Sequence, residues 1–224
     1  MEMNTKEQNF DNLMIRDCGL IAYGDCLVLQ QQLLAERQAD AIPNTILLVE
    51  HPPVITLGAR KSENKLLADE KTLTAKGIEI VTIGRGGGTT AHNPGQLVIY
   101  PIVKLKTLKL DVPEFVRRVE QLGLELLDGL GVIAHRQKGL PGLWVGKEKI
   151  ASVGIQIKKW VTMHGIAINI CNDLSIFDNI VPCGLNDITM TSAQKQTGKN
   201  YRMKELKKNA AVLCKQVFNI EELS

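Results

Sequence analysis

Apolar residues along this chain recur in two rhythms, and the expected elements follow from them. Between Ala22 and Arg37, Cys26, Leu29 and Leu33 fall on one face at helical spacing, which predicts a helix. Thr45 to Glu50 is a short apolar run that predicts a strand, closed by His51-Pro52-Pro53. Val54 to Leu57 resumes extended structure before Gly58-Ala59-Arg60, and Ile78 to Ile83 predicts a further strand. Leu97 to Leu105 predicts another, after Asn93-Pro94-Gly95. Asp111-Val112-Pro113-Glu114 announces a helix: Asp111 can cap it, Pro113 suits the first turn, and Glu114 takes the capping-box position. Phe115, Val119, Leu122 and Leu126 are its apolar stripe, and Gly131 can end it. Val132 to His135, Leu143 to Val145, Lys149 to Ile157 and Met163 to Ile170 predict strands, with Gly146-Lys147-Glu148 as a tight connection. Leu206, Ala210, Leu213 and Val217 give a last helix its buried face.

Strands outnumber helices in this pattern and often follow one another directly. That favours an α+β fold with a mixed, mostly antiparallel sheet and packed helices over a doubly wound parallel one. No internal repeat or low-complexity linker is visible, so residues 17–224 are expected to form a single domain behind a polar segment, residues 1–16.

Composition narrows the partners. With 224 residues and 44% hydrophobic content, the chain can bury a real core, and at 4% aromatics Leu, Ile and Val must fill it. A net charge of +3 is too small to imply nucleic acid. No run reaches the ~18 apolar residues of a membrane span, and Met1 to Arg16 lacks an apolar signal core, so neither membrane insertion nor export is expected. The five cysteines, Cys18, Cys26, Cys171, Cys183 and Cys214, include no CxxC pair. That argues against a zinc site, and the odd number argues against a disulfide scaffold. No metal or cofactor is expected, and a reducing cytoplasm is the natural compartment.

The candidate chemistry lies in four blocks. Cys183 stands in Val181-Pro182-Cys183-Gly184-Leu185, held by a stiff turn on one side and uncrowded on the other. A free cysteine is more often a small buried hydrophobe than a nucleophile, but this setting suits a thiol presented to a substrate. Cys171, in Ile170-Cys171-Asn172, reads as structural. Lys149 heads Lys149-Ile150-Ala151-Ser152-Val153-Gly154. Most turn lysines are solvated, yet strand alternation would put Ala151, Val153, Ile155 and Ile157 on its face and so desolvate it. Desolvation lowers a lysine's pKa towards neutrality, where it can exchange protons. His164-Gly165 lies in a third run. The fourth block, Arg85 to Gln96, is too glycine-rich for a helix or a central strand and lacks the Gly-Lys-Ser/Thr ending of a phosphate loop. A lone histidine is usually a satisfied core residue, so His92 and His164 are read as lining and orienting groups rather than metal ligands. Lys104, Lys106 and Lys109, with Lys158 and Lys159, are either scattered solvated charges or a basic patch for an acidic partner.

In order along the chain, the Arg-Gly-Gly loop ending in His92-x-Pro-Gly-Gln, the Lys-Ile-Ala-x-x-Gly strand, the His-Gly strand and Pro-Cys-Gly resemble the lipoyl(octanoyl) transferase family. Lys149 and Cys183 are 34 positions apart (149 to 183), a spacing similar to the family's. The resemblance implies the fold shared with lipoate and biotin protein ligase catalytic domains. It also implies transfer of an octanoyl group from octanoyl-acyl carrier protein to a lysine of lipoyl domains, those of 2-oxoacid dehydrogenases and of the glycine cleavage H protein. By the same resemblance Cys183 and Lys149 are the catalytic pair. The acyl substrate meets Arg85, Gly86, Gly87, Gly88, Thr89, Thr90, Ala91 and His92, then Ser152, Val153 and Gly154, then His164, Gly165, Ile166 and Ala167. Ala91 stands where the family usually has an aromatic and Asn93 where it has glycine, which puts the shape of the acyl pocket in question. The competing readings are an ATP-dependent lipoate ligase of the same fold and an inactive carrier-protein-binding homologue.

Overall fold

A computed structural model describes residues 13–181 and 188–218. Its centre is a seven-stranded sheet built from β1 (Met14–Leu20), β2 (Thr45–Glu50), β6 (Gln96–Ile102), β10 (Val161–Asn169), β9 (Glu148–Lys158), β8 (Leu140–Val145) and β7 (His135–Gln137), in that spatial order. Only β1 and β2 run parallel; every other pair in this sheet is antiparallel. A smaller sheet has the order β4 (Glu79–Thr82), β3 (Val54–Leu57), β5 (Thr90–His92). The fold is therefore α+β, with a mixed, mostly antiparallel sheet and packed helices.

Helices cover both faces of the large sheet. On one face α3 (Val112–Gly129) packs against β8, β9 and β10, and α5 (Met203–Phe218) packs on α3 and β2. This side holds the main core, including Leu97, Ile99, Phe115, Leu122, Leu143, Ile166 and Ile168. On the other face α1 (Tyr23–Gln38) crosses β6 and β10 and seals a second core of Cys26, Leu33, Leu47, Val98, Met163 and Ala167. A third cluster, with Ile55, Leu73, Ala91, Ile176 and Phe177, fills the small sheet under α2 (Glu70–Ala75). A short helix, α4 (Ala193–Thr197), precedes α5.

Local signals explain most boundaries. Asp111 caps α3 by accepting a hydrogen bond from the Glu114 backbone N–H at 2.7 Å, and Phe115, Val119, Leu122 and Leu126 are all buried. Three expectations shift. The strand expected at Val132 to His135 is instead His135–Gln137. Gly131, at φ +81°, turns the chain back so that the Val132 N–H still reaches the Leu127 carbonyl, and Ile133 is left exposed. The buried face of α5 is Leu206, Ala210, Cys214 and Phe218 rather than Leu213 and Val217, which are half-buried. β1 and α2 carried too little apolar periodicity to be expected: β1 is a largely exposed edge strand, and α2 buries only Leu73.

The third shift concerns Lys149. Leu143 pairs with Ala151 but Trp144 pairs with Lys149, so Ile150 is an extra residue in β9, a β-bulge. Adjacent residues on β8 point to opposite faces, hence so do Lys149 and Ala151. Lys149 shares a face with Trp144 and Gly142, not with Ala151, while Ile150 and Ala151 both enter the main core.

Candidate active site

A small pocket opens on the α1 side of the large sheet. It is lined by Tyr23 of α1, Arg85 and Gly87 of the glycine loop, Thr90 and His92 of β5, Val98 and Tyr100 of β6, Ser152 to Gly154 of β9, and His164 to Ala167 of β10. Three of the four sequence blocks thus converge on one cavity. Gly154 permits this: a Cβ there would stand 2.8 Å from Arg85 Cδ and 3.0 Å from the Gly86 carbonyl oxygen. Gly165 permits the matching approach on the other strand, since its Cβ would stand 2.2 Å from the Ile99 carbonyl oxygen.

His164 reaches the pocket by breaking strand alternation. Ile166 and Ile168 of β10 face the main core, and regular alternation would send His164 the same way. Its backbone is left-handed instead (φ +60°), its N–H donates to Gln30 Oε1 of α1 at 2.9 Å, and its ring lies 6.2 Å from that of Tyr100.

The imidazoles here are neutral. His51 donates from Nδ1 to the Ile21 carbonyl at 2.8 Å and accepts at Nε2 from the Tyr100 hydroxyl at 3.0 Å, and burial lowers its pKa to about 4. Burial, then the Arg85 charge, lowers His164 to about 3; burial, then His51, holds His92 well below its ordinary value. Burial raises Tyr23 and Tyr100, so both keep their protons. Arg85 is itself buried, donating to Thr56 Oγ1 at 2.8 Å and to the Thr56 and Gly86 carbonyls at 3.1 and 3.0 Å. Val98, Val153, Ile166 and Ala167 give the pocket its apolar lining, while Tyr23, His92, Tyr100 and His164 add uncharged polar rings beside the Arg85 guanidinium.

A hydrogen-bond chain ties this end to Lys149. His92 Nδ1–H donates to Gln96 Oε1 at 2.7 Å, Gln96 donates to Asn169 Oδ1 at 2.8 Å, and Asn169 donates to the Thr191 carbonyl at 3.0 Å. The Thr191 N–H donates to the Lys149 carbonyl at 2.9 Å, and the Lys149 N–H donates to the Thr189 carbonyl, also at 2.9 Å. Lys149 is 1% exposed, with Nζ 5.3 Å from the centre of the Trp144 ring. It borders a cleft of about 600 Å³ that shares Gly87, Val153 and Gly154 with the pocket.

The remaining site candidates fall elsewhere. Gly86 lines the cleft rather than the pocket. Gly88 is pressed against Glu63, and Thr89 Oγ1 accepts the Lys65 N–H at 3.0 Å, so both serve the loop's own fold. Ala91 points away from the pocket, opposite to Thr90 and His92, into the third apolar cluster. Asn93 is buried, donating to the Asp173 carbonyl and accepting from Asn172. Cys183 lies outside the described residues. Its described neighbours are anchored: the Val181 N–H donates to the Lys65 carbonyl, and Thr189 holds Lys149. Burial raises the pKa of every described cysteine, Cys26 and Cys214 to about 12 and Cys18 and Cys171 less far, which makes each a poor thiolate. No local sequence signal marks Tyr23, His51 and Tyr100 as site residues. Each is a polar ring next to an apolar run, and only long-range packing assembles them. Among the described residues, no group of three or more His, Cys, Asp or Glu side chains could hold a metal ion.

This architecture is that of the lipoate and biotin protein ligases. A bipartite lipoate protein ligase of Thermoplasma acidophilum superposes with a TM-score of 0.67 at 13% identity, over 92% of this chain and 82% of that one. Biotin protein ligase of Aquifex aeolicus, in complex with biotin and ATP, superposes with a TM-score of 0.52 at 14% identity, over 93% and 72%. The chain belongs to the lipoyl protein ligase A/B catalytic domain family, whose model matches residues 22–214. Its curated relatives include the octanoyltransferase of Desulforamulus reducens, 38% identical over 93% of this chain and 92% of that one. That of Chloroflexus aurantiacus is 41% identical over 93% and 95%. These relatives make the chain an acyltransferase of this family.

Proposed function

We propose that this protein takes an octanoyl group from octanoyl-acyl carrier protein and passes it to a lysine of lipoyl domains, those of 2-oxoacid dehydrogenases and of the glycine cleavage H protein, through a thioester on Cys183. Octanoyl transfer follows from the octanoyltransferase relatives and the family. The donor and the covalent route are our reading. The observation that carries it is Lys149: a buried lysine, placed by a bulge at the border of an acyl-sized cleft, with its backbone bonded to the segment that follows Cys183.

In this mechanism the Lys149 ammonium favours the Cys183 thiolate electrostatically. The thiolate attacks the donor's thioester carbonyl. The tetrahedral intermediate collapses with loss of the carrier's thiolate, which takes a proton from Lys149. A neutral lysine of the lipoyl domain then attacks the acyl-cysteine; its C–N bond forms as the C–S bond breaks, Lys149 accepts the proton, and the thiolate returns. Thioester to thioester is nearly balanced and thioester to amide is downhill, so the scheme requires no ATP. Arg85, Gly87, Thr90 and His92 of the loop, with Ser152–Gly154 and His164–Ala167, hold the acyl chain, and residues 17–224 act as the catalytic domain in a reducing cytoplasm.

The test is intact-mass analysis after mixing with octanoyl-acyl carrier protein and no ATP, followed by peptide mapping. One octanoyl adduct on Cys183 is expected, absent in Cys183→Ala, and formed much more slowly in Lys149→Ala. An adduct on Cys171, or a strict requirement for ATP, overturns the reading.

A further inference from the structure

The hairpin joining β9 to β10 turns through Lys159 and Trp160, both with left-handed backbone at φ +48° and +65°. Such turns favour Asn-Gly because L side chains resist that conformation. Here the tip displays a lysine and a half-exposed tryptophan instead, with Trp160 47% exposed and Lys106 Nζ lying 5.1 Å from its ring centre. Strain retained at a surface tip, in order to present two large side chains, points to recognition. Lys106, Lys158 and Lys159 are all exposed around it. Gln38, at the end of α1, donates to the Lys158 carbonyl at 2.8 Å, and Asp40 just beyond it is paired with Lys104 and Arg37.

The cleft that Lys149 borders extends along β9 as far as Ile157, three residues before Trp160. Ile157, next to Lys158, lines it together with Ile155, Val153 and Lys149 of β9, while Val112 and Val116 of α3 form another wall. Ile157 and Lys149 are eight positions apart (149 to 157), one of them taken up by the bulge at Ile150, so the path is roughly 23 Å at the usual rise of ~3.3 Å per residue. A lipoyl domain offers its lysine on a short side chain and would have to dock close to Lys149. A donor that carries its acyl group on a long flexible arm can dock at the far end and thread the arm inward. Resting on the function proposed above, we infer that the Lys106, Lys158, Lys159 and Trp160 tip is the docking site of an acidic acyl carrier protein, and that the β9–α3 cleft takes its thioester-bearing arm.

The experiment compares octanoyl-acyl carrier protein with octanoyl-pantetheine, which has the arm without the protein. For Lys158→Glu/Lys159→Glu the KM for the carrier should rise about tenfold or more at low salt with kcat unchanged, since charges at an interface act mainly on encounter. The KM values for octanoyl-pantetheine and for the lipoyl domain should not change. Lys158→Gln/Lys159→Gln, a milder change, should give a smaller rise of the same kind and flatten the salt dependence of kcat/KM. As a readout free of turnover, acyl carrier protein should protect Trp160 from acrylamide quenching, whereas Trp144 is buried and already protected. An equal loss with octanoyl-pantetheine, a shift confined to the lipoyl domain, or unprotected Trp160 overturns the assignment. Wild-type enzyme that forms the Cys183 thioester from octanoyl-pantetheine but shows no carrier dependence at the tip would overturn this inference alone and leave the catalytic reading standing.

Discussion

Gly142 is the residue on which the placement of Lys149 depends most directly. It sits in β8 at φ +124°, and a Cβ there would stand 2.4 Å from the Ala151 carbonyl oxygen and 2.9 Å from Lys149 Cε. Its N–H also donates to Glu120 Oε1 at 3.0 Å, which fixes β8 to α3. Gly142→Ala must therefore either open the β8–β9 pairing or push the lysine off the Trp144 ring. A disfavoured backbone costs about 1–3 kcal/mol, and overpacking costs about 1–3 kcal/mol. Taking about 3 kcal/mol in all, and about 2–4 °C per kcal/mol for a chain of this size, Tm should fall by roughly 6–12 °C. Calorimetry measures this. Gly129→Ala is the control, because a Cβ there meets nothing within 4 Å. Residual folded Gly142→Ala should also alkylate Cys183 at a higher pH than wild type, as a displaced ammonium stabilises the thiolate less. A Tm within about 2 °C of wild type would refute the close approach and, with it, the reason for a glycine here.

Two further outcomes rest on the same structure. His51, His92 and His164 all have folded pKa values below the ordinary ~6.5, so unfolding takes up protons; stability is full above about pH 6.5 and falls as pH drops towards 4, by up to ~1.4 kcal/mol per pH unit for each ring. Thermal melts from pH 7.5 to 5 should show the decline and His164→Phe should flatten it; parallel curves for the two proteins would refute the neutral buried ring. Asp111→Ala should cost about 1 kcal/mol by freeing the Glu114 N–H at the start of α3, read as a loss of Tm of about 2–4 °C, and no shift would remove the cap from the account of that helix.

The elements that the sequence determined are those whose stabilising contacts lie within a few residues. β2 and β3 run over the expected residues because a short apolar run bounded by prolines or glycine is a complete local signal. α3 was legible because its cap, proline and stripe are all i to i+3 or i+4 relations. Three of the blocks that line the pocket or border the cleft are legible too, since the glycine cluster, Lys149 and the His-Gly pair are local features of the chain. What tertiary structure decided are relations between distant strands. The bulge at Ile150 exists only in the register with β8, and it reverses the face of Lys149 that simple alternation assigns. His164 leaves its expected face because Gln30, 134 residues away, takes its N–H. Ala91 turns into the third cluster because it is paired with Ile55, whereas its neighbours Thr90 and His92 take the pocket. The aromatic end of the pocket joins Tyr23, His51 and Tyr100 from separate elements, and no local pattern carries that meeting. Periodicity reports which face of an element is apolar; only the packed sheet determines which faces meet.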